Sequence, residues 1–193
     1  MRPHSILVIL ITALIQLLFI SPAKAEEYLT PMEQVIRKSQ PDERIEIVRR
    51  IAYVIESESN RLGLNPSLIA ALVWTESRFN YRATGKIGEV GLMQIRYDLW
   101  KKSSILRRNG VTSERKMYWI GKNVRCGVEI FNRFLNQAKG DIVKALYRYN
   151  SGKVRIPRGT SRYRLSYVNK VLVKMYEISE HLRKHQYVPQ YQF

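Results

Sequence analysis

The chain predicts a mainly α fold built as a single domain, and three observations carry that prediction. Apolar residues recur with the period of a helix in successive segments, opened or closed by recognisable capping residues. No stretch alternates apolar and polar side chains as a half-exposed strand would. Cys126 is the only cysteine, so no internal disulfide can form, and the fold must rest on a hydrophobic core.

Residues 1–25 are set apart from the fold. Arg2 gives a basic start, Ile6 to Ile20 an apolar run, and Ala23-Lys24-Ala25 a small-x-small triplet, the pattern of a secretory signal peptide. The run is short for a membrane span and stops at Ser21-Pro22. Export, to the periplasm or the cell wall, is therefore expected.

Residues 26–59 read as an N-terminal helical segment. Ser39-Gln40-Pro41-Asp42 is a candidate helix start, leading into a helix from about Pro41 to Leu62 with Ile47, Val48, Ile51, Ala52 and Ile55 on one face and Gly63 as its stop. Asn65 and Pro66 mark the N-cap and first turn of the next helix. Asn80 to Val90, punctuated by Gly85 and Gly88, breaks the period and reads as a loop or short hairpin, and Lys101 to Lys116 as an irregular basic region. Val124, Gly127, Val128, Phe131, Phe134, Leu135 and Ala138 set out a strong helix closed by Gly140. Asp141 caps a shorter one with Ile142, Ala145, Leu146 and Tyr149 on its face. A last amphipathic helix from about Arg164 to Arg183 carries Tyr167, Val171, Val173, Met175 and Ile178, and residues 176–193 finish as its end and a polar tail.

One residue breaks the apolar pattern. Ile69, Leu72, Val73 and Glu76 fall at i, i+3, i+4 and i+7, which puts a carboxyl on the buried stripe near the C-terminal end of its helix. Burial and the negative end of the helix dipole both disfavour its charged form, so Glu76 is a candidate general acid. The formal charge of +17 favours acidic partners, which for an exported chain are anionic envelope polymers, and no nucleic-acid-binding motif is recognisable. His181 and His185 are spaced i, i+4 but lack the Glu of a zinc-binding pair, so no metal or other cofactor is expected. Cys126, among Val124, Val128 and Phe131, reads as a small buried hydrophobe.

Three stretches gain meaning together: Glu76-Ser77-Arg78-Phe79-Asn80, then Gly88-Glu89-Val90-Gly91-Leu92-Met93-Gln94-Ile95, then Ala145-Leu146-Tyr147-Arg148-Tyr149-Asn150-Ser151-Gly152. In this order and spacing they resemble the catalytic domain of the soluble-type lytic transglycosylases, which share a goose-type lysozyme-like helical fold with a substrate groove. Asn123, Gly127 and Phe134-Leu135 add to the resemblance, which spans residues 60–175 as the expected catalytic domain. It implies cleavage of the β-1,4 bond between N-acetylmuramic acid and N-acetylglucosamine in peptidoglycan, with a 1,6-anhydromuramic product. Glu76 would be the single acid/base, and the substrate's own acetamido group the nucleophilic help, one of the exceptions to the two-carboxylate rule. Tyr149 matches the family tyrosine whose hydroxyl lies close to that Glu, with Asn150 beside it. Ser77 would hold Glu76 or the sugar; Gly91 would permit close backbone approach, Met93 line the groove and Gln94 bond a sugar.

The chain departs from the commonest family pattern, a Ser three residues before a Gly-Ala pair: Gly85 stands at the Ser position and Glu89 at the Ala position. Glu89 is thereby a candidate second carboxylate, and the alternative it opens is a lysozyme-like hydrolase of the same bond. A non-catalytic cell-wall-binding protein is the third reading. Peptidoglycan glycan strands are the expected partner of what is expected to be a monomer, and small size with high charge suggests service to an envelope-spanning secretion or appendage apparatus. Trp74 is expected in the core, while Trp100 and Trp119 are candidates for stacking on sugars.

Overall fold

The structure is a computed structural model and describes residues 29–152 and 162–185, with side chains from residue 165 onward in the second part. The expected signal segment, the basic run 153–158 and the tail after His185 lie outside the described residues. No helix among those described is long and apolar enough to cross a membrane.

Eight α-helices make up most of the described chain: α1 (Pro31–Ser39), α2 (Ile45–Arg61), α3 (Pro66–Ser77), α4 (Tyr97–Trp100), α5 (Ser104–Arg108), α6 (Ile120–Gln137), α7 (Ile142–Ser151) and α8 (Arg162–His185). A two-stranded antiparallel hairpin, β1 (Glu89–Val90) and β2 (Ile95–Arg96), interrupts them after α3, and a 3-10 turn (Glu114–Tyr118) precedes α6. Strands of two residues are too short to leave an alternating pattern, which is why the sequence shows only a broken period here.

The α3 helix is the axis of the fold. Asn65 caps it by accepting a hydrogen bond from the Ser67 N–H, with Pro66 in the first turn. Leu68 to Val73 are all buried, so the helix is enclosed on every side and its apolar residues form a sheath, not the stripe the spacing implies. It packs against α8 and α2, while α6 packs on α2 and α7. Met32 and Ile36 of α1 join the same core as Ile69, Phe131 and Val171.

The expected helix start at Ser39-Gln40-Pro41-Asp42 is corrected. The stretch is the exit of α1, where the Gln40 N–H bonds back to the Ile36 carbonyl, and α2 begins only after Arg44, which makes no side-chain cap. Thr30 and Glu33 form the capping box that starts α1 instead. The basic region from Lys101 to Lys116 is also more ordered than expected: Ser103 caps α5 through the Leu106 N–H, and Arg108 pairs with Glu129 of α6 at 2.6 Å. Asp141 caps α7 through the Lys144 N–H, and Gly152 closes it in the left-handed region. Cys126 is fully buried, and burial pushes its thiol up to about 12.

Candidate active site

Glu76 sits in the last turn of α3, beside a sharp change of direction. Arg78 and Phe79 both take positive φ, 55° and 63°, at a cost of about 1–2 kcal/mol for each non-glycine residue. Phe79 is offset by full burial. Arg78 lays its guanidinium 3.5 Å from the Trp74 ring centroid, and its carbonyl accepts from the Gln40 amide at 2.9 Å. Trp74 packs against the core as expected, but only half-buried, and its outer face is a platform for Arg78 and Lys174.

Beyond the turn, the chain forms the hairpin, and three elements hold its tip by backbone atoms. The Ser77 hydroxyl lies 2.9 Å from the Leu92 carbonyl and 3.1 Å from that of Val73. Asn123 of α6 accepts from the Met93 N–H at 2.8 Å and donates to the carbonyls of Val90 and Met117 at 2.8 and 2.7 Å. The Tyr149 hydroxyl donates to the Met93 carbonyl at 2.9 Å. Gly91 takes φ 75°, and a Cβ there would meet the Asn123 amide at 2.5 Å; a Cβ on Gly127 would lie 2.3 Å from the Met93 sulfur. Both glycines are therefore clearances that let the hairpin seat.

This geometry corrects several expectations. The Met93 side chain is fully buried against Gly127 and does not line the groove. Ser77 and Gly91 are buried and bind or clear protein atoms. The hydroxyl bonded to Glu76 is that of Tyr167 in α8, which donates to its Oε1. Tyr149 stands close enough for the Glu76 charge to act on it, but its own bond goes to the hairpin. Tyr167 was seen in the sequence only as one of the apolar-face residues of the last helix.

The cleft that results holds about 320 Å³ and is lined by Glu76, Glu89, Gln94, Arg96, Arg148, Tyr149 and Asn150 among others. Gln94, at φ 47°, uses its amide N–H to reach the carbonyls of Gly91 and Ala83. Trp100, Phe134 and Tyr149 make an aromatic wall, with ring centroids 6.1 Å apart for Trp100–Phe134 and 6.4 Å for Phe134–Tyr149. Ile87 and Leu99, both mostly exposed, add apolar surface to the same cleft. Trp100 thus faces the cleft as a sugar-stacking candidate should, while Trp119 lies apart from it, beside Tyr53 in a different recess. His181 and His185 stack on each other, ring centroids 4.1 Å apart.

Burial dominates the electrostatics of Glu76 and pushes its pKa up to about 7; the Tyr167 hydrogen bond pulls the other way, the Glu89 charge adds to the rise and Lys170 opposes it. Burial, with the Glu76 charge, also holds the hydroxyls of Tyr149 and Tyr167 well above their ordinary value. The arrangement therefore offers one carboxyl able to hold or release a proton near neutrality, beside an aromatic, partly cationic cleft.

The family profile described as the transglycosylase SLT domain matches residues 53–166, more than half of the chain. The chain belongs to this SLT family. The match takes in Glu76, the hairpin, Asn123 and the α7 motif, and ends one residue before Tyr167. Among solved structures, the chain is similar to an inactive Glu-to-Gln mutant of the lytic transglycosylase Slt from Pseudomonas aeruginosa, with a TM-score of 0.60 and 23% identity over 68% of this chain. That likeness establishes the lysozyme-like helical fold of the SLT domain. The chain spans 24% of the length of the Pseudomonas chain.

Proposed function

We propose that this SLT-family protein is a peptidoglycan lytic transglycosylase. In this reading it cleaves the β-1,4 bond between N-acetylmuramic acid and N-acetylglucosamine and leaves a 1,6-anhydromuramic end. The observation that carries the reading is Glu76: a largely buried carboxyl on the cleft, held near pKa 7 and bonded to Tyr167. The Pseudomonas protein's description as inactive with a Glu replaced by Gln supports a reaction that turns on one carboxyl.

The steps follow from proton position. Protonated Glu76 gives its proton to the glycosidic oxygen as the C1–O bond breaks, and the acetamido oxygen of the muramic sugar closes onto C1. The resulting Glu76 carboxylate, stabilised by the Tyr167 O–H, then takes the proton of the C6 hydroxyl as that oxygen attacks C1 and displaces the acetamido oxygen. One residue is acid and then base, and the proton returns to where it started. No water is consumed.

A second reading, hydrolysis of the same bond, is favoured by one observation: Glu89 lines the same cleft as Glu76. The signal-like segment at residues 1–25 supports action in the periplasm or wall, and the charge of +17 supports contact with anionic envelope polymers, or with an envelope-spanning apparatus that needs the wall opened. Glu76→Gln keeps the shape and removes the transferable proton, so solubilisation of purified sacculi should cease while the fold remains. Full activity in that variant would remove Glu76 as the acid.

A further inference from the structure

Gly85 is a glycine whose backbone does not need to be one. Its φ lies outside the left-handed region, yet a Cβ built on it would fall 2.2 Å from Oε2 of Glu89 and 2.8 Å from its carboxyl carbon. The space of a side chain at 85 is occupied by the Glu89 carboxylate. The backbone fixes this seat: the Gly85 N–H donates to the Glu89 carbonyl at 2.7 Å, and the Ile87 N–H donates to Oε2 at 3.1 Å. Oε1 has no hydrogen-bond partner among the described residues, and the side chain lines the Glu76 cleft. Across the ladder, Glu89 pairs in register with Arg96, whose guanidinium is engaged with Asp98 and also lines the cleft.

We propose that Glu89 is a second catalytic group, whose seated carboxylate accepts the acetamido N–H of the reacting muramic sugar and balances the positive charge that develops there. This rests on the transglycosylase reading above. When the acetamido oxygen bonds to C1, the C1–O bond to the leaving sugar breaks, Glu76 protonates that oxygen, and the nitrogen is left as the N–H of a cationic five-membered ring. An anionic acceptor on that N–H lowers the energy of the ring and of the transition state before it. When the C6 oxygen attacks C1, the ring opens, the electron pair returns to the acetamide, and the C6 proton goes to Glu76. Glu89 keeps its charge throughout and exchanges no proton. A carboxylate already held in place by a backbone N–H suits an acceptor of this kind.

Two variants test this in different ways, with purified sacculi as substrate, mass analysis of the products and thermal unfolding as the check on folding. Glu89→Gln keeps the shape and removes the charge; Gly85→Ala keeps the charge and evicts it from its seat. Each should lower kcat about 10- to 100-fold with the 1,6-anhydro product unchanged and KM little altered, and the double variant should be no worse than the poorer single one. Wild-type kcat in both folded variants would overturn the role of Glu89 and leave the transglycosylase reading standing. Reducing muramic ends made by the wild type and lost in Glu89→Gln would overturn both, since Glu89 would then be the base for water.

Discussion

The Tyr167 hydroxyl donates to Oε1 of Glu76 across 91 positions of chain, joining the C-terminal turn of α3 to the face of α8 that packs along it. That bond favours the carboxylate, which is the state Glu76 reaches after giving up its proton. Tyr167→Phe should therefore raise the Glu76 pKa further and slow proton donation. A pH–rate profile should show the alkaline limb moved upward and kcat reduced about 10-fold or more; an unmoved limb would separate Tyr167 from the chemistry.

Tyr149→Phe should behave differently. Its hydroxyl serves the Met93 carbonyl, so the loss falls on the hairpin and costs about 1–2 kcal/mol of stability. Thermal unfolding should register that loss, with the alkaline limb nearly in place.

How much of this was legible in the sequence depends on how local each signal is. Asn65-Pro66 and Asp141 are caps written into adjacent residues, and both open helices as expected. Glu76 stood out because its neighbours on the helix are apolar. Ser39-Gln40-Pro41-Asp42 misled because a residue that can cap a helix can equally follow one, and tertiary contacts decided. The motif residues Ser77, Gly91, Met93 and Tyr149 were legible as a group but not in role, since the sequence cannot show that they meet at the back of one hairpin. Tyr167 left no local signal: a tyrosine on an apolar helical face looks the same whether or not a carboxyl waits opposite it.

Clearance at the hairpin makes a stability prediction. Gly127→Ala would bring a methyl to 2.3 Å from the Met93 sulfur and 2.7 Å from its Cβ, which no rotation of the side chain's far end can relieve. A loss of about 1–3 kcal/mol is expected in denaturant unfolding. Asn123→Ala, which abandons three buried hydrogen bonds, should cost about 3 kcal/mol.

Glu76 also links stability to pH. Its folded pKa of about 7 stands above the ordinary 4.5, so the folded state holds a proton that the unfolded state has released between those values. The stabilisation is complete below pH 4.5 and is lost as the pH rises to about 7, a difference of about 3 kcal/mol. Tyr167, Glu89 and Lys170 are the neighbours that tune it. Comparing unfolding of the wild type and Glu76→Gln across this window isolates the effect, because the amide cannot titrate; parallel curves would contradict it. Activity should likewise fall above about pH 7, where the acid is spent.

Whether water enters the reaction is the most direct question of all. Sacculi digested by the wild-type protein in heavy-oxygen water should yield muramic ends that carry no label and lack one water in mass, because the C6 hydroxyl closes the ring. Labelled, reducing muramic ends would contradict the account, and would make Glu76 and Glu89 the two carboxylates of a hydrolase.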